Sequence, residues 1–385
     1  MERRHVAGEE DVVHVSNPSL IGREPYTPGL SREFVAATYG IAPDQVAKLG
    51  SAENPLGPSP LGRAAVEHAG GLLDLYPSWT AEPLRQKIAV RYGVQPEEVV
   101  CGAGETEIIA TLIRTFAAEG EAVLMHSPCF PIYHIYAEND ARVPVYAPMG
   151  PDFEPRVDAY IDRLGVAKPR IAFLTNPHSP SGVFLEESDI RRVCAAAGDA
   201  LVVLDEAYLH FTETAGGIHL VRDYPNLIVL RTFSKAFGLA GLRVGFGVAS
   251  PAIVRALWNA KPTWNIGQLQ IAGAAAALDD DAHVNRTVSL IVEMRGYAAQ
   301  LLSGLTAFRM VPGSRSNFFL LEILDSERFD STGVFEALLR RGVIVKDGSV
   351  SFRGLGKRYL RVDVGLRQHM DRLATALREI EQQGL

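Results

Sequence analysis

The sequence predicts an α/β fold, with a large domain built on a mostly parallel sheet and a smaller α+β domain beside it. Three observations predict it. Residues 201–204 (Leu-Val-Val-Leu) and 227–230 (Leu-Ile-Val-Leu) are continuous apolar runs, the pattern of central parallel strands covered on both faces. From about residue 80, strand-like runs alternate with helical stretches. After about residue 285 this alternation gives way to a long helical stretch followed by a short mixed pattern.

Taken in order, residues 1–50 read as an N-terminal arm. Pro18, Pro25 and Pro28 argue against long regular structure before a short helix over 30–39. A helix over 81–92 leads to a strand at 99–101 and a helix over 105–118. Strands at 122–125, 142–146 and 171–174 follow, then a helix over 185–197. The two apolar runs come next, and a strand at 244–248 is the last of the large domain, assigned to 51–285. In the small domain, 286–385, helices over 288–302, 333–340 and 368–380 alternate with strands at 318–322, 343–345 and 359–364. The arm is expected to pack with this small domain and with a partner subunit.

The chain has 385 residues, a length that favours two or three domains. With 47% hydrophobic and 22% charged residues, a sizeable core is expected and global disorder is excluded. The net charge of −7, spread along the chain, makes nucleic acid and anionic membranes poor partners, though a local basic pocket for a small anion remains open. Cys101, Cys129 and Cys194 form neither a disulfide framework nor a zinc spacing, which points to a reducing compartment. The first residues lack the apolar run of a signal peptide. The longest stretch without a charged side chain, 262–278, contains Asn265, Gln268 and Gln270 and is a poor membrane span. A cytoplasmic enzyme without a metal site is expected.

In an open α/β sheet, ligands collect beyond the carboxyl ends of the strands. Polar clusters at 102–107, 176–182, 205–208 and 232–243 stand at such ends. Lys235 follows a buried strand and lies near Thr232, Ser234 and Arg243. It is either a Schiff-base lysine beside a phosphate site or a solvated turn lysine. Gly238 and Gly241 favour a loop of close approach. Asp205 ends an apolar strand and either serves a protonated ring nitrogen or caps the next turn. A lysine and an aspartate ending central strands together meet the needs of pyridoxal phosphate. Gly102 and Gly104 lead into a helix, either as an ordinary glycine turn with Thr106 as cap or as a phosphate site built on the helix's N-terminal N–H groups.

Together these residues resemble the fold type I pyridoxal-phosphate aminotransferases, and more narrowly the histidinol-phosphate aminotransferases. The resemblance runs from about Tyr26 to the C-terminus. It includes Glu53-Asn54-Pro55, Tyr76-Pro77, Asp205-Glu206-Ala207-Tyr208, Ser234-Lys235 and Leu360-Arg361-Val362. It implies that Lys235 bonds the cofactor and shuttles the substrate proton, Asp205 pairs with the pyridine nitrogen and Tyr208 with the ring hydroxyl. Phe130 would stack on the ring. Glu105 and Thr106 would hold the phosphate through backbone N–H groups, with Thr232, Ser234 and Arg243. Tyr76 would reach the phosphate of the partner's cofactor, which implies a homodimer with shared sites. Tyr26, Lys346 and Arg361 would bind substrate, with Arg361 on the α-carboxylate. An amino acid (phosphorylated, histidinol phosphate-like, or aromatic) and a 2-oxo acid such as 2-oxoglutarate are the implied substrates.

Three departures from the family pattern stand out. Ser179 replaces the asparagine that bonds the cofactor's ring oxygen, Lys346 replaces an arginine for substrate phosphate, and Ala52 replaces an asparagine before Glu53. The 102–107 and 352–361 segments also resemble threonine-phosphate decarboxylase, which makes decarboxylation of a phospho-amino acid the alternative activity. His126, His134 and His210 lack metal-ligand spacing and read as structural or surface residues.

Overall fold

The computed structural model describes residues 18–20, 26 and 28–385. The readings of residues 1–17 and of Pro25 lie outside the described residues. Thirteen strands occur among those described. In chain order they are β1 (Ala47–Lys48), β2 (Val99–Ala103), β3 (Ala122–Ser127), β4 (Val143–Pro148), β5 (Ile171–Thr175), β6 (Leu201–Asp205), β7 (Leu227–Thr232), β8 (Val244–Ala249), β9 (Phe308–Met310), β10 (Phe318–Ile323), β11 (Val343–Ile344), β12 (Lys346–Asp347) and β13 (Tyr359–Asp363).

The main sheet has seven strands in the order β2-β8-β7-β6-β5-β3-β4. The pairs β3–β4, β3–β5, β5–β6 and β6–β7 are parallel, whereas β8 runs antiparallel to both β7 and β2. The apolar runs behave as expected: every residue of β6 and β7 is buried. Register is what matters for function. Thr175 pairs with Asp205, and Asp205 with Leu230, so β5 and β6 end together, β7 runs two residues further to Thr232, and polar residues are presented at one edge.

A second sheet of four strands has the order β12-β13-β10-β9. Of the strand expected over 343–345, Val343 and Ile344 form β11, and a separate strand, β12, starts just beyond Val345 in the other sheet. β11 pairs in parallel with β1, while β12 pairs antiparallel with β13. The division occurs where Gly50 passes Val345. A Cβ at Gly50 would lie 2.8 Å from the Val345 carbonyl oxygen, so only glycine allows the two backbones to meet.

Several helices escaped the sequence reading, among them Pro60–Ala69, Pro131–Asn139 and Pro251–Ala260. Each begins with proline at its first position, a start signal that was available. Gln268–Ala277 is alanine-rich and lacks a polar stripe because it packs on Pro60–Ala69, where Gly62 and Gly273 face each other. Asp281–Leu302 starts seven residues before the expected position. Asp280 caps it by accepting from His283 N, and also accepts from Ser59 Oγ at 2.6 Å. Phe173, Phe233, Phe246 and Phe318 are fully buried, each gaining about 1.5–3 kcal/mol from leaving water. No helix among the described residues is long and apolar enough to cross a membrane.

Candidate active site

Asp205 is the last residue of β6, and its carboxylate is buried with three neighbours. Oδ1 accepts from Ala207 N at 3.0 Å, so the turn-capping role is real. Oδ2 accepts a short hydrogen bond from Tyr133 Oη, which also lies 2.9 Å from Thr175 Oγ1. Tyr133 is held by stacking on Phe173, with centroids 4.3 Å apart. The third neighbour is the carboxyl of Glu105. Burial, then the Asp205 charge, pushes Glu105 well above the usual carboxylate range. Burial also raises Asp205, against the hydrogen bonds from Tyr133, Glu105 and Ala207 that favour its charged form.

Lys235 lies in the loop between β7 and β8. Its Nζ is 5.3 Å from the ring centroid of Tyr208. Burial, then the charge of Arg361, lowers its ammonium to about 8, which frees a larger fraction of nucleophilic amine near neutrality. The loop is fixed from outside. Gly238 has φ of 70°, and a Cβ there would fall 2.0 Å from the Gly57 carbonyl oxygen. Asn54 Nδ2 donates to Ala236 O at 2.9 Å and to Thr287 Oγ1 at 3.0 Å. The Asn54–Gly57 segment therefore seats the lysine loop.

On the other side of Lys235, Thr232, Ser234 and Arg243 converge on the start of helix Glu105–Phe116. Thr232 Oγ1 donates to Ser234 Oγ at 3.0 Å, and Arg243 Nη1 lies 3.4 Å from the same oxygen. Gly104 caps the helix with φ of 75° and no side-chain cap, which leaves its first N–H groups open. A Cβ at Gly104 would collide with Arg243 Nη2, and one at Gly245 would lie 2.5 Å from Glu105 N. Glycine at both positions lets backbone, guanidinium and hydroxyls close around one small volume.

The opposite wall comes from the second sheet. Lys346 and Arg361 are cross-strand partners, so both cations point to the same face. Arg361 Nη2 contacts Asp363 Oδ1 at 3.3 Å and Gly50 O at 3.4 Å, and the guanidinium rests on Phe318 and Phe352. Lys346 Nζ stands 5.7 Å from the Tyr26 ring centroid. Burial, then Arg361, lowers Lys346 to about 8.

These walls enclose a cavity of about 660 Å³. It is lined by Tyr26, Glu105, Thr106, Phe130, Ser179, Asp205, Tyr208, Thr232, Ser234, Lys235, Arg243, Lys346 and Arg361, so the structure brings together every residue to which the resemblance gave a cofactor or substrate role except one. Tyr76 is outside it, 81% exposed and stacked on Trp264 with centroids 4.7 Å apart. The sequence reading missed Tyr133, Thr175 and Asp363, which support Asp205 and Arg361, and it gave Asn54 no role of its own. Ala52 has φ of 50°, and its N–H donates to the Asp363 carboxylate, but nothing in the structure explains alanine in place of asparagine there. The three cysteines are buried and free, and burial pushes their thiols up to about 12, which makes them inert. No cluster of three or more metal-binding side chains occurs among the described residues.

The cavity fits a phosphorylated pyridine. Ser179 Oγ, Glu105 Oε1 and Arg361 Nε are buried polar atoms without a hydrogen-bond partner among the described residues. A buried carboxylate, an amine and a glycine-lined anion cradle lie within one enclosure.

Residues 44–377 match the family described as Aminotransferase class I and II. A histidinol-phosphate aminotransferase of Anaeromyxobacter sp. (strain Fw109-5) is 41% identical over 94% of this chain and 98% of its own length. Among solved structures, histidinol-phosphate aminotransferase from Sinorhizobium meliloti in complex with pyridoxal-5′-phosphate shares the fold. Its TM-score is 0.85 at 24% identity, covering 97% of this chain and 99% of that one. L-threonine-O-3-phosphate decarboxylase from Porphyromonas gingivalis shares it at a TM-score of 0.79 and 21% identity, over 88% of this chain and 100% of that one. The chain belongs to the class I and II aminotransferases, which are pyridoxal-phosphate enzymes.

Proposed function

We propose that this aminotransferase takes the amino group of histidinol phosphate and passes it to 2-oxoglutarate. Pyridoxal 5′-phosphate, when bound, supplies an electron sink for a carbanion at the substrate's Cα. Lys235 would hold the cofactor through Nζ, and the same nitrogen would move the proton at Cα. Asp205, braced by Tyr133, keeps the ring nitrogen protonated. Tyr208 and Ser179 would bind the cofactor's ring oxygen, and Phe130 would pack against the cofactor. The N–H groups of Glu105 and Thr106, with Thr232, Ser234 and Arg243, hold the cofactor phosphate.

The observation that carries the substrate assignment is the Lys346–Arg361 pair. Histidinol phosphate bears its phosphate on the carbon next to Cα, where glutamate bears its α-carboxylate. One arginine suffices for a carboxylate, whereas a phosphate dianion gains from a second cation. Arg361, held by Asp363 and two aromatic rings, serves both substrates, and Lys346 serves the phosphate. The test is a split in kinetics. Lys346→Ala raises KM for histidinol phosphate by ~10- to 100-fold, the value of one charged hydrogen bond, and leaves the glutamate KM within about 3-fold. Equal losses for both substrates contradict the assignment. Carbon dioxide release from threonine phosphate as the main reaction favours the decarboxylase instead.

The working unit in this proposal is a homodimer in the cytoplasm. Leu73, Leu75, Tyr76, Trp79 and Trp264 are exposed apolar side chains, most of them on one short stretch, and a second copy is the natural cover. In that dimer, Tyr76 contributes to the partner's cofactor phosphate. We also keep the division into an arm (1–50), a large domain (51–285) and a small domain (286–385). The pairing of β1 with β11 supports the arm's association with the small domain.

A further inference from the structure

We propose that His178 is a positioning residue for the cofactor, locking the loop that carries Phe130 to the loop that carries Ser179. The proposal rests on the reading above that Phe130 and Ser179 face the cofactor. His178 is buried at the end of β5, and its ring spans the gap to the loop after β3. Nε2 lies 3.0 Å from the carbonyl oxygen of Pro128, two residues before Phe130. Nδ1 lies 2.7 Å from Ser181 Oγ. A carbonyl oxygen only accepts, so Nε2 carries the proton and Nδ1 accepts from the Ser181 hydroxyl. Both ends of the ring are therefore committed, in one tautomer.

The ring has little freedom to move. His178 N donates to Val183 O at 2.8 Å, and Gly182 N donates to His178 O at 2.6 Å, so the ring stands on a closed turn. Its edge meets His126 at 5.6 Å between centroids, and His126 lies 4.6 Å from the Tyr160 ring. Burial lowers the imidazole to about 4, so it stays neutral and keeps both bonds across the working pH range. One end of the strut sets the wall that stacks on the cofactor ring. The other holds Ser181, two residues after Ser179, which lines the same cavity.

The bland alternative is a satisfied core histidine that supports the fold and nothing else. His178→Ala, His178→Asn and His178→Gln separate the two. Glutamine places its amide nitrogen near the Nε2 position and keeps the bond to Pro128, whereas asparagine reaches only toward Ser181. Cofactor dissociation, the pH dependence of the bound cofactor's visible band, and the melting temperature are measured for each. His178→Ala and His178→Asn are expected to weaken cofactor retention by about 10-fold and shift the band, while His178→Gln stays within about 3-fold of the parent. Lower melting temperatures with unchanged retention and an unchanged band in all three overturn the proposal. If His178→Ala does not fold, Ser181→Ala removes the hydroxyl that orients the ring and leaves the cavity lining intact. It is expected to move retention and band in the same direction, and no movement overturns the proposal. Phe130→Ala is run in parallel. A silent Phe130→Ala overturns the placement of Phe130 against the cofactor, whereas an active Phe130→Ala beside silent His178 variants overturns only the role of His178.

Discussion

Lys346 differs from an arginine at the same place in a way that kinetics can register, because it titrates. With its ammonium lowered to about 8, the free enzyme loses this charge as pH rises through that value. kcat/KM for histidinol phosphate is therefore expected to fall above about pH 8, and Lys346→Arg moves that limb to higher pH. A limb that stays in place in Lys346→Arg assigns it to another group. Asp205→Asn keeps the shape of the site and removes the charge, so kcat is expected to fall by roughly 10²- to 10³-fold. A steady-state assay at saturating substrate checks this. At this scale the sequence was most informative where a residue type has one chemical use. A lysine and an aspartate at strand ends are conspicuous, and both line the cavity. Tyr133 was illegible because it sits in an apolar, aromatic helix, where a phenol reads as core. Its hydroxyl meets Asp205 only because β5, β6 and that helix converge.

Among elements, the loop after β7 depends on a contact that no side chain can enter. Gly238→Ala sets a Cβ 2.0 Å from the Gly57 carbonyl oxygen at a φ of 70°, so backbone must move. A loss of at least about 2 kcal/mol in stability is expected, together with weaker cofactor retention. Gly241→Ala, with nothing within 4 Å of its added Cβ, is the matched control and is expected to stay within about 0.5 kcal/mol. Chemical denaturation of the two variants beside the parent checks both. The strands of the main sheet were legible because β6 and β7 are apolar along their whole length. Three helices escaped the sequence reading although each carries proline at its first position, which is a start signal. The split at Val345 was invisible because a run of consecutive apolar residues, Val343-Ile344-Val345, carries no mark of which sheet each half joins.

For the whole molecule, the sheet ends and the second sheet meet so that Lys235, Lys346 and Arg361 line one cavity. The sequence named both walls by resemblance, but not the register that joins Lys346 to Arg361. One exposed apolar stretch stays uncovered in the single chain. Leu73→Asp with Leu75→Asp is expected to convert a dimer to monomer in sedimentation and to lower cofactor retention, since Tyr76 then reaches no partner site. A parent chain that sediments as a monomer removes the shared-site proposal. The most direct measurement is the visible spectrum of the cofactor-loaded enzyme as one equivalent of histidinol phosphate and then 2-oxoglutarate are added. The cofactor band is expected to disappear with the first and return with the second, and Lys235→Ala to show neither change. A spectrum that histidinol phosphate leaves untouched, in an enzyme that releases carbon dioxide from threonine phosphate, contradicts the proposed reaction.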